Sequence, residues 1–250
     1  MKKCRRIAMV VTLSAGSAIA LAPVPGYAVP VRESPTVHWQ QYLATSNATR
    51  STADRTPVTR TQRKAGERPI SASERSQLAA AIKQTLSAKS VVIDVRWPSG
   101  DGATRSITLN RPDRVHTETT LRDGAVVESI SIGRDTYEAL SSAPHKWAHT
   151  QRTVLPEGVF ESTLGPWLHA DSFGLRDGAS YVGEISDGGS LFEVRAQLAG
   201  NRVVALAVTL TIPNPLTNPR ILPSVMRMTK FDLAAKVVAP PVEETAKVSG

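Results

Sequence analysis

The stretch Arg111–Thr150, RPDRVHTETTLRDGAVVESISIGRDTYEALSSAPHKWAHT, decides the fold of this chain. Its short segments have strand character, and turn signals separate them at intervals of about ten residues, which is typical of an antiparallel meander. Arg122-Asp123-Gly124 is one such turn, because glycine tolerates the positive backbone angle of a tight hairpin. The stretch contains no nucleophile elbow, phosphate-binding loop or metal cluster. Shape, rather than catalytic chemistry, is therefore the guide to function.

A helix is predicted ahead of the meander. Ser71 is a good N-cap residue, and Glu74 stands at the position from which a capping box is completed. Leu78, Ile82 and Leu86 then recur every four residues and form one apolar stripe. Such a stripe needs a sheet to cover it.

Further strands are predicted on both sides of the meander. Val91–Trp97 and Ala103–Leu109 precede it. Downstream, after a less regular stretch over 154–178, Phe192–Leu198 and Val203–Ile212 form a hairpin. In the first strand of that hairpin apolar and polar residues alternate, as in a strand with one face exposed to water.

Several pieces of the chain resemble the bacterial lipoprotein-carrier superfamily, of the LolA-like and LppX/LprG-like type. The meander motifs are RPDRV at 111–115, ISIGRDTY at 130–137 and Lys146-Trp147, and KVVAPP at 236–241 is similar to the final strand of actinobacterial members. The resemblance implies an α+β fold: an incomplete antiparallel β-barrel, that is, a strongly curved sheet, with an N-terminal helix covering an apolar concave face. It also implies a protein that holds a lipid or an acyl chain.

Ten apolar residues are candidates for lining that concave face. Each methylene group moved from water into an apolar cavity contributes about 0.8 kcal/mol, so such a face can bind an acyl chain without polar contacts. Ordinary core packing is the alternative for every one of them. The candidates are Val126, Ile130, Ile132, Phe192, Val194, Leu198, Val204, Leu206, Val208 and Leu210.

The N-terminus predicts export. A basic start, an apolar run over 7–22 and the small-residue site Gly26-Tyr27-Ala28 are typical of a signal peptide, here 1–28 with cleavage near Ala28. We therefore expect a secreted protein, in the periplasm or the cell envelope. The only cysteine, Cys4, precedes the apolar run, so the chain lacks the lipobox cysteine of the actinobacterial lipoproteins, and the mature protein has no disulfide.

Three further segments are predicted. Residues 29–70 are rich in Thr, Ser, Arg and Pro and form a disordered basic tail. Residues 71–244 form the lipoprotein-carrier-like β domain, and 245–250 a disordered C-terminus. The net charge of +8 belongs entirely to residues 1–70. Nucleic acid is not an expected partner, because the domain lacks the excess of cations that phosphate binding requires. No later segment is apolar for long enough to span a membrane.

Catalysis is not expected, and neither a cofactor nor a metal is predicted. His145 and His149 have the spacing of metal ligands on a helix, but their segment is predicted to be a strand. At about 3.3 Å per residue their rings would be about 13 Å apart. The expected partner is a lipid or acyl-chain ligand. An envelope protein is the second candidate partner, because the same fold can also bind proteins. The alternative function is a non-enzymatic regulatory or protein-interaction module of the envelope-stress sensor type, because fold alone does not fix function.

Overall fold

The computed structural model describes residues 11–13, 17–19, 56–57, 63–98, 102–140, 146–151, 158–187, 190–212 and 220–247. The chain divides into two units, Met1–Ser51 and Thr52–Gly250. In the first unit, strands β1 (Val11–Leu13) and β2 (Ser17–Ile19) pair antiparallel. Otherwise the predicted signal peptide, its cleavage site near Ala28 and most of the predicted tail lie outside the described residues.

The second unit is mostly β and contains one large, curved sheet of fourteen strands that does not close. Its helices are α1 (Ala72–Leu86) and α2 (Val159–Thr163), and 3₁₀ turns lie at Gly165–Trp167, Ala170–Ser172 and Val242–Glu244. The strands are β3 (Thr56–Pro57), β4 (Glu67–Pro69), β5 (Ser90–Arg96), β6 (Thr104–Asn110), β7 (Arg114–Thr120), β8 (Val126–Ile132), β9 (Asp135–Ala139), β10 (Trp147–Gln151), β11 (Phe173–Asp177), β12 (Ser180–Asp187), β13 (Ser190–Ala199), β14 (Arg202–Ile212), β15 (Arg220–Thr229) and β16 (Thr245–Lys247).

The strand order is β16-β10-β9-β8-β7-β6-β5-β15-β14-β13-β12-β11-β4, and β3 pairs with β12 off this path. Each pair is antiparallel except β10 with β16. The predicted meander over 111–150 is confirmed as the run from β7 to β10, which follows the predicted strands β5 and β6, and the predicted late hairpin is confirmed as β13 with β14. β15 joins these two runs by pairing with both β14 and β5.

The predicted helix begins where its capping signal lies. The Ser71 hydroxyl accepts a hydrogen bond from the Glu74 backbone N–H at 3.2 Å, and the Glu74 carboxylate accepts one from the Ser71 N–H at 2.9 Å. Leu78 and Ile82 are buried, as the apolar stripe predicts. The Thr85 hydroxyl accepts the Val203 N–H at 2.9 Å, so α1 is attached to the start of β14.

Part of the sheet lies upstream of the boundary predicted at Ser71. β4 pairs with β11 and β3 pairs with β12, so two short strands fall within the segment 29–70. β4 ends in Pro69, which has no N–H to donate, and it forms the last strand of the path.

The prediction of a final strand over 236–241 is wrong. This segment is irregular, because Pro240 and Pro241 lack N–H groups for a ladder. The Val237 N–H instead donates to the Asn110 side-chain oxygen at 2.6 Å, and Arg114 donates to the Val237 carbonyl at 2.8 Å. The last strand is β16, which lies in the segment predicted as the C-terminal tail.

Candidate ligand-binding face

One face of the sheet carries a continuous row of side chains across eight strands. Cross-strand partners point to the same side of a sheet, so the register defines this face, which we call the inner face. From β12 to β8 the row is Tyr181, Ala196, Leu206, Met226, Val95, Arg105, Thr119 and Val127. Apart from Tyr181, Arg105 and Thr119, its members are apolar.

The candidates of the late hairpin lie on the inner face and are deeply buried. Phe192 is opposite Leu210, and Val194 is opposite Val208. These four side chains and Leu206 are at most 1% exposed. Leu198 is on the same face by alternation and is half-buried.

Two elements contact this part of the inner face. The first is the segment 158–172, which contains α2 and two 3₁₀ turns; the Trp167 ring centroid lies 5.3 Å from that of Phe192. The second is α1, whose Gln77 side-chain oxygen accepts a hydrogen bond from the Tyr181 hydroxyl at 3.3 Å. The late half of the inner face, on β12 to β15, is therefore filled by the protein's own side chains.

Val204 does not occupy the paired position on β14 that alternation with Leu206 and Val208 predicts. Gln197 pairs with Ala205 and Leu198 pairs with Val203, so Val204 is an extra residue in a β-bulge. As a result Val203 is the fully buried residue, whereas Val204 is half-buried. A bulge of one residue cannot be found from alternation alone, because the apolar pattern continues on both sides of it.

The three candidates of β8 lie on the other face. Val127 belongs to the inner row, so alternation places Val126, Ile130 and Ile132 on the opposite side. Ile130 is buried there between His116 and Tyr137, its two cross-strand partners, and Val126 is 55% exposed. The structure therefore does not bring these three residues together with the candidates of the late hairpin.

The histidines of the meander belong to cross-strand contacts on this outer face. The rings of Tyr137 and His149 stack with centroids 4.8 Å apart, and His149 Nε2 lies 2.8 Å from a carboxylate oxygen of Asp135. Burial, with the nearby Asp135 charge, raises the pKa of Tyr137. His145 lies outside the described residues. Within the part of the chain that the structure describes, no group of three His, Cys, Asp or Glu residues is placed to hold a metal.

Arg105 is a buried charge that sequence reasoning missed. It is 7% exposed and occupies the inner row. Its Nε donates to the Thr119 hydroxyl at 3.0 Å, and its guanidinium carbon lies 5.7 Å from the centroid of the Trp97 ring. Burial lowers the pKa of Arg105 to about 10. The signal in the sequence is a charged residue on the same face of its strand as Ala103, Ile107 and Leu109, where the other side chains are apolar.

Two pockets lie along the C-terminal half of α1, with volumes of about 570 and 550 Å³. They share Lys83 and Ser87, and the second is bordered by the ion pair between Arg111 and Glu161 at 2.7 Å. None of the ten candidate residues lines either pocket. None of the described helices has both the length and the apolar character needed to cross a membrane.

Comparison with known proteins gives similarity in structure only. No family model and no curated protein sequence matches the chain. Lipoprotein LppX of Mycobacterium tuberculosis is similar with a TM-score of 0.42 at 11% identity, over 68% of this chain and 100% of LppX. LprF of Mycobacterium bovis is similar with a TM-score of 0.35 at 11% identity, over 69% of this chain and 99% of LprF.

Proposed function

We propose that the protein is a non-enzymatic carrier of the cell envelope, which holds the apolar chain of a lipid or another apolar ligand against the inner face of its sheet. The observation that supports this most directly is the largely apolar row that crosses eight strands on one side of an unclosed sheet. An acyl chain of about a dozen carbons gains on the order of 10 kcal/mol by leaving water, at about 0.8 kcal/mol per methylene group. That gain exceeds the lower estimates of the cost of association.

The proposed ligand lies over the early half of the inner face, on β6 to β10. On β13 and β14, side chains such as Val194 and Leu206 are fully buried. On β6, β7 and β8, the inner residues Ile107, Thr117 and Val127 are only half-buried. A ligand chain placed there removes further apolar area from water without displacing Trp167 from Phe192. In this proposal α1 covers the part of the apolar face that lies on β13 and β14.

Export is part of the proposal. A signal peptide over 1–28, with cleavage near Ala28, delivers the chain to the periplasm or the cell envelope, where lipids and envelope proteins are available as partners. The basic segment 29–70, whose later part contributes β3 and β4 to the sheet, then helps the protein to find a membrane by weak attraction to anionic lipid, about 1 kcal/mol for each cation near the surface.

A second function is supported by the packing of the late half. If the filled face of β13 and β14 is ordinary core, the protein is a regulatory or protein-interaction module that binds a partner protein through its surface. Exposed apolar side chains on that surface include Val126 and Ile221, at 55% and 58% exposure. Exposed apolar residues of this kind are common at sites of protein association when they form a patch.

Native mass spectrometry with organic extraction separates the two functions. The sample is the mature protein purified from its own envelope fraction. A carrier brings a lipid of defined mass with it, or takes up added lipid at one molecule per chain. A ligand-free mass that persists after lipids of several classes have been added contradicts carriage and supports the interaction module.

A further inference from the structure

One fully buried hydrogen-bond donor on the inner face, the indole N–H of Trp97, lacks an acceptor within the described part of the chain, and the neighbouring Arg105 guanidinium has one hydrogen bond there. A guanidinium carries five N–H donors, and the single hydrogen bond that the Arg105 side chain makes within the described residues is the one from Nε to Thr119. The indole N–H of Trp97, which is 4% exposed, has no hydrogen-bond partner among the residues that the structure describes. Buried donors are normally satisfied, and each one that is not costs free energy.

The surroundings of Arg105 contain no compensating charge within the described part of the chain. Its cross-strand partners on the inner face are Val95 and Thr119, followed by Met226 and Val127 farther along the row. None of the ion pairs between described residues includes it. An unpaired buried charge is unfavourable for folding, so its presence points to an anion that arrives from outside the protein.

The position of these donors matches an amphipathic ligand. Trp97 directly follows β5 and Arg105 is the second residue of β6, so both lie at the end of the inner face formed by the β5–β6 hairpin. Ile107 and Leu109 continue along the same face away from that end, at intervals of about 7 Å. A ligand with its polar group at the hairpin end therefore lays its chain along Ile107 and Thr117, the half-buried inner residues of β6 and β7, toward the fully buried Leu109.

Building on the carrier function proposed above, we propose that Arg105 and Trp97 bind the anionic head group, a carboxylate or a phosphate, of a single-chain acyl ligand. The guanidinium fork matches both groups with two parallel hydrogen bonds, and the indole N–H supplies a third donor. Thr119 holds the Nε side of the guanidinium and leaves its terminal nitrogens for the ligand.

The test compares three ligands of equal chain length: palmitate, hexadecyl phosphate and hexadecanol. Each displaces a neutral fluorescent probe from the purified protein, with all lipids kept below their micelle concentrations. We expect both anions to bind about tenfold or more tightly than the alcohol, because hydrogen bonds to charged groups are the stronger ones. Stronger binding of the phosphate identifies a phospholipid-type head group, and stronger binding of palmitate a fatty-acid type.

Three variants locate the effect. Arg105→Met removes the charge and keeps roughly the length of the side chain; it should lower the affinity for both anions about tenfold and the affinity for hexadecanol much less, because a neutral hydroxyl accepts a weaker hydrogen bond than an anion does. Arg105→Lys should keep part of the preference for anions. Trp97→Phe keeps an aromatic ring without the N–H, and gives a second test if Arg105→Met does not fold; it should weaken anion binding several-fold. Thermal unfolding should show Arg105→Met to be as stable as the parent protein or more so.

The outcomes distinguish the head-group site from carriage itself. Equal affinities for the three ligands in the parent protein overturn the head-group site and leave the carrier function standing. Failure of all three to displace the probe or to bind contradicts the carrier function and the site with it. A loss of hexadecanol binding together with lower stability in Arg105→Met assigns Arg105 a purely structural role.

Discussion

The late half of the sheet, β12 to β15, and the early half, β6 to β10, use the same alternation of side chains with different results. Val194 of β13 and Val127 of β8 are both valines on the inner face, yet Val194 is fully buried and Val127 is half-buried. Trp167 contacts Phe192 of the late half, and Gln77 of α1 accepts a hydrogen bond from Tyr181. On the early half Leu109 is buried, whereas Ile107, Thr117 and Val127 are half-buried. Strand pattern thus sets the face of a side chain, whereas the covering elements set its burial.

The outer faces of the two halves differ as well. On β13, Arg195 is within 2.8 Å of Glu193 and also pairs with Asp177, and Lys64 is 2.7 Å from Glu193. Burial raises the pKa of Glu193, but the hydrogen bonds from Lys64 and Arg195 outweigh it and lower the pKa overall. On the early half, the outer face instead carries the stacked pair Tyr137 and His149.

The largest effect is expected from emptying the core of the late half. Phe192→Ala removes a fully buried ring next to Trp167 and should lower the free energy of unfolding by about 3–5 kcal/mol. The matched pair Val194→Ala on the late half and Val127→Ala on the early half should differ too: the second should cost roughly 1 kcal/mol or less and the first more, because Val194 is fully buried and Val127 is half-buried. Urea denaturation of the three variants measures these losses. Equal losses for the two valine variants would contradict the difference in burial between the two halves.

The attachment of α1 to the bulge gives the next effect. In Thr85→Val the Val203 N–H loses the buried acceptor to which it donates at 2.9 Å, which should cost about 1–3 kcal/mol of stability. Ser76→Ala, which removes an exposed hydroxyl of the same helix, should change stability by at most about 0.5 kcal/mol. Thermal unfolding compares the two, and an unchanged midpoint for Thr85→Val would show that the bulge does not depend on the helix.

Filling the early half tests the place of the ligand. Ile107→Trp adds bulk to the half-buried inner face of β6 and should weaken binding of hexadecanol about tenfold, or about 1.4 kcal/mol. Ile221→Trp, at an exposed position of β15, should leave binding unchanged. Probe displacement measures both, with circular dichroism to confirm that each variant is folded. A loss of binding in the Ile221 variant alone would place the ligand elsewhere.

The smallest effect concerns pH at the start of α1. The hydrogen bond from Arg68, together with the Ser71 N–H, lowers the pKa of Glu74 from 4.5 to about 2. Stability from this carboxylate is therefore present above pH 4.5 and is lost as the pH falls from about 4.5 to about 2. Helix content followed by circular dichroism should fall less steeply with acid in Glu74→Gln than in the parent chain. Identical acid profiles would assign the transition to other carboxylates.

Local features of the sequence predicted local structure well. The capping box at Ser71 and the glycine turn at Gly124, whose φ is 82°, depend on residues that are near one another in the chain. β15 was not predicted because Pro223 interrupts its pattern. The strand tolerates this proline because its pairing with β5 begins only at Val225, which leaves one side of the strand unpaired at that point.

Prediction of the candidate site requires the register between strands, which the alternation of residues within one strand does not give. Placing Ile130 and Leu206 relative to each other depends on the register of five strand pairs between β8 and β14, and a shift of one residue moves every side chain to the other face. The bulge at Val204 is one such shift. Arg105 was missed because a charged residue within a strand normally predicts an exposed face.

Methyl NMR during titration with palmitate tests the central claim most directly, that the early half of the inner face holds the ligand chain. Saturable shifts should appear at the methyl groups of Ile107 and Val127, while those of Val194 and Val208 in the packed late half change little. Shifts confined to Val126 and Ile132 on the outer face, or no saturable shifts at all, would contradict the account.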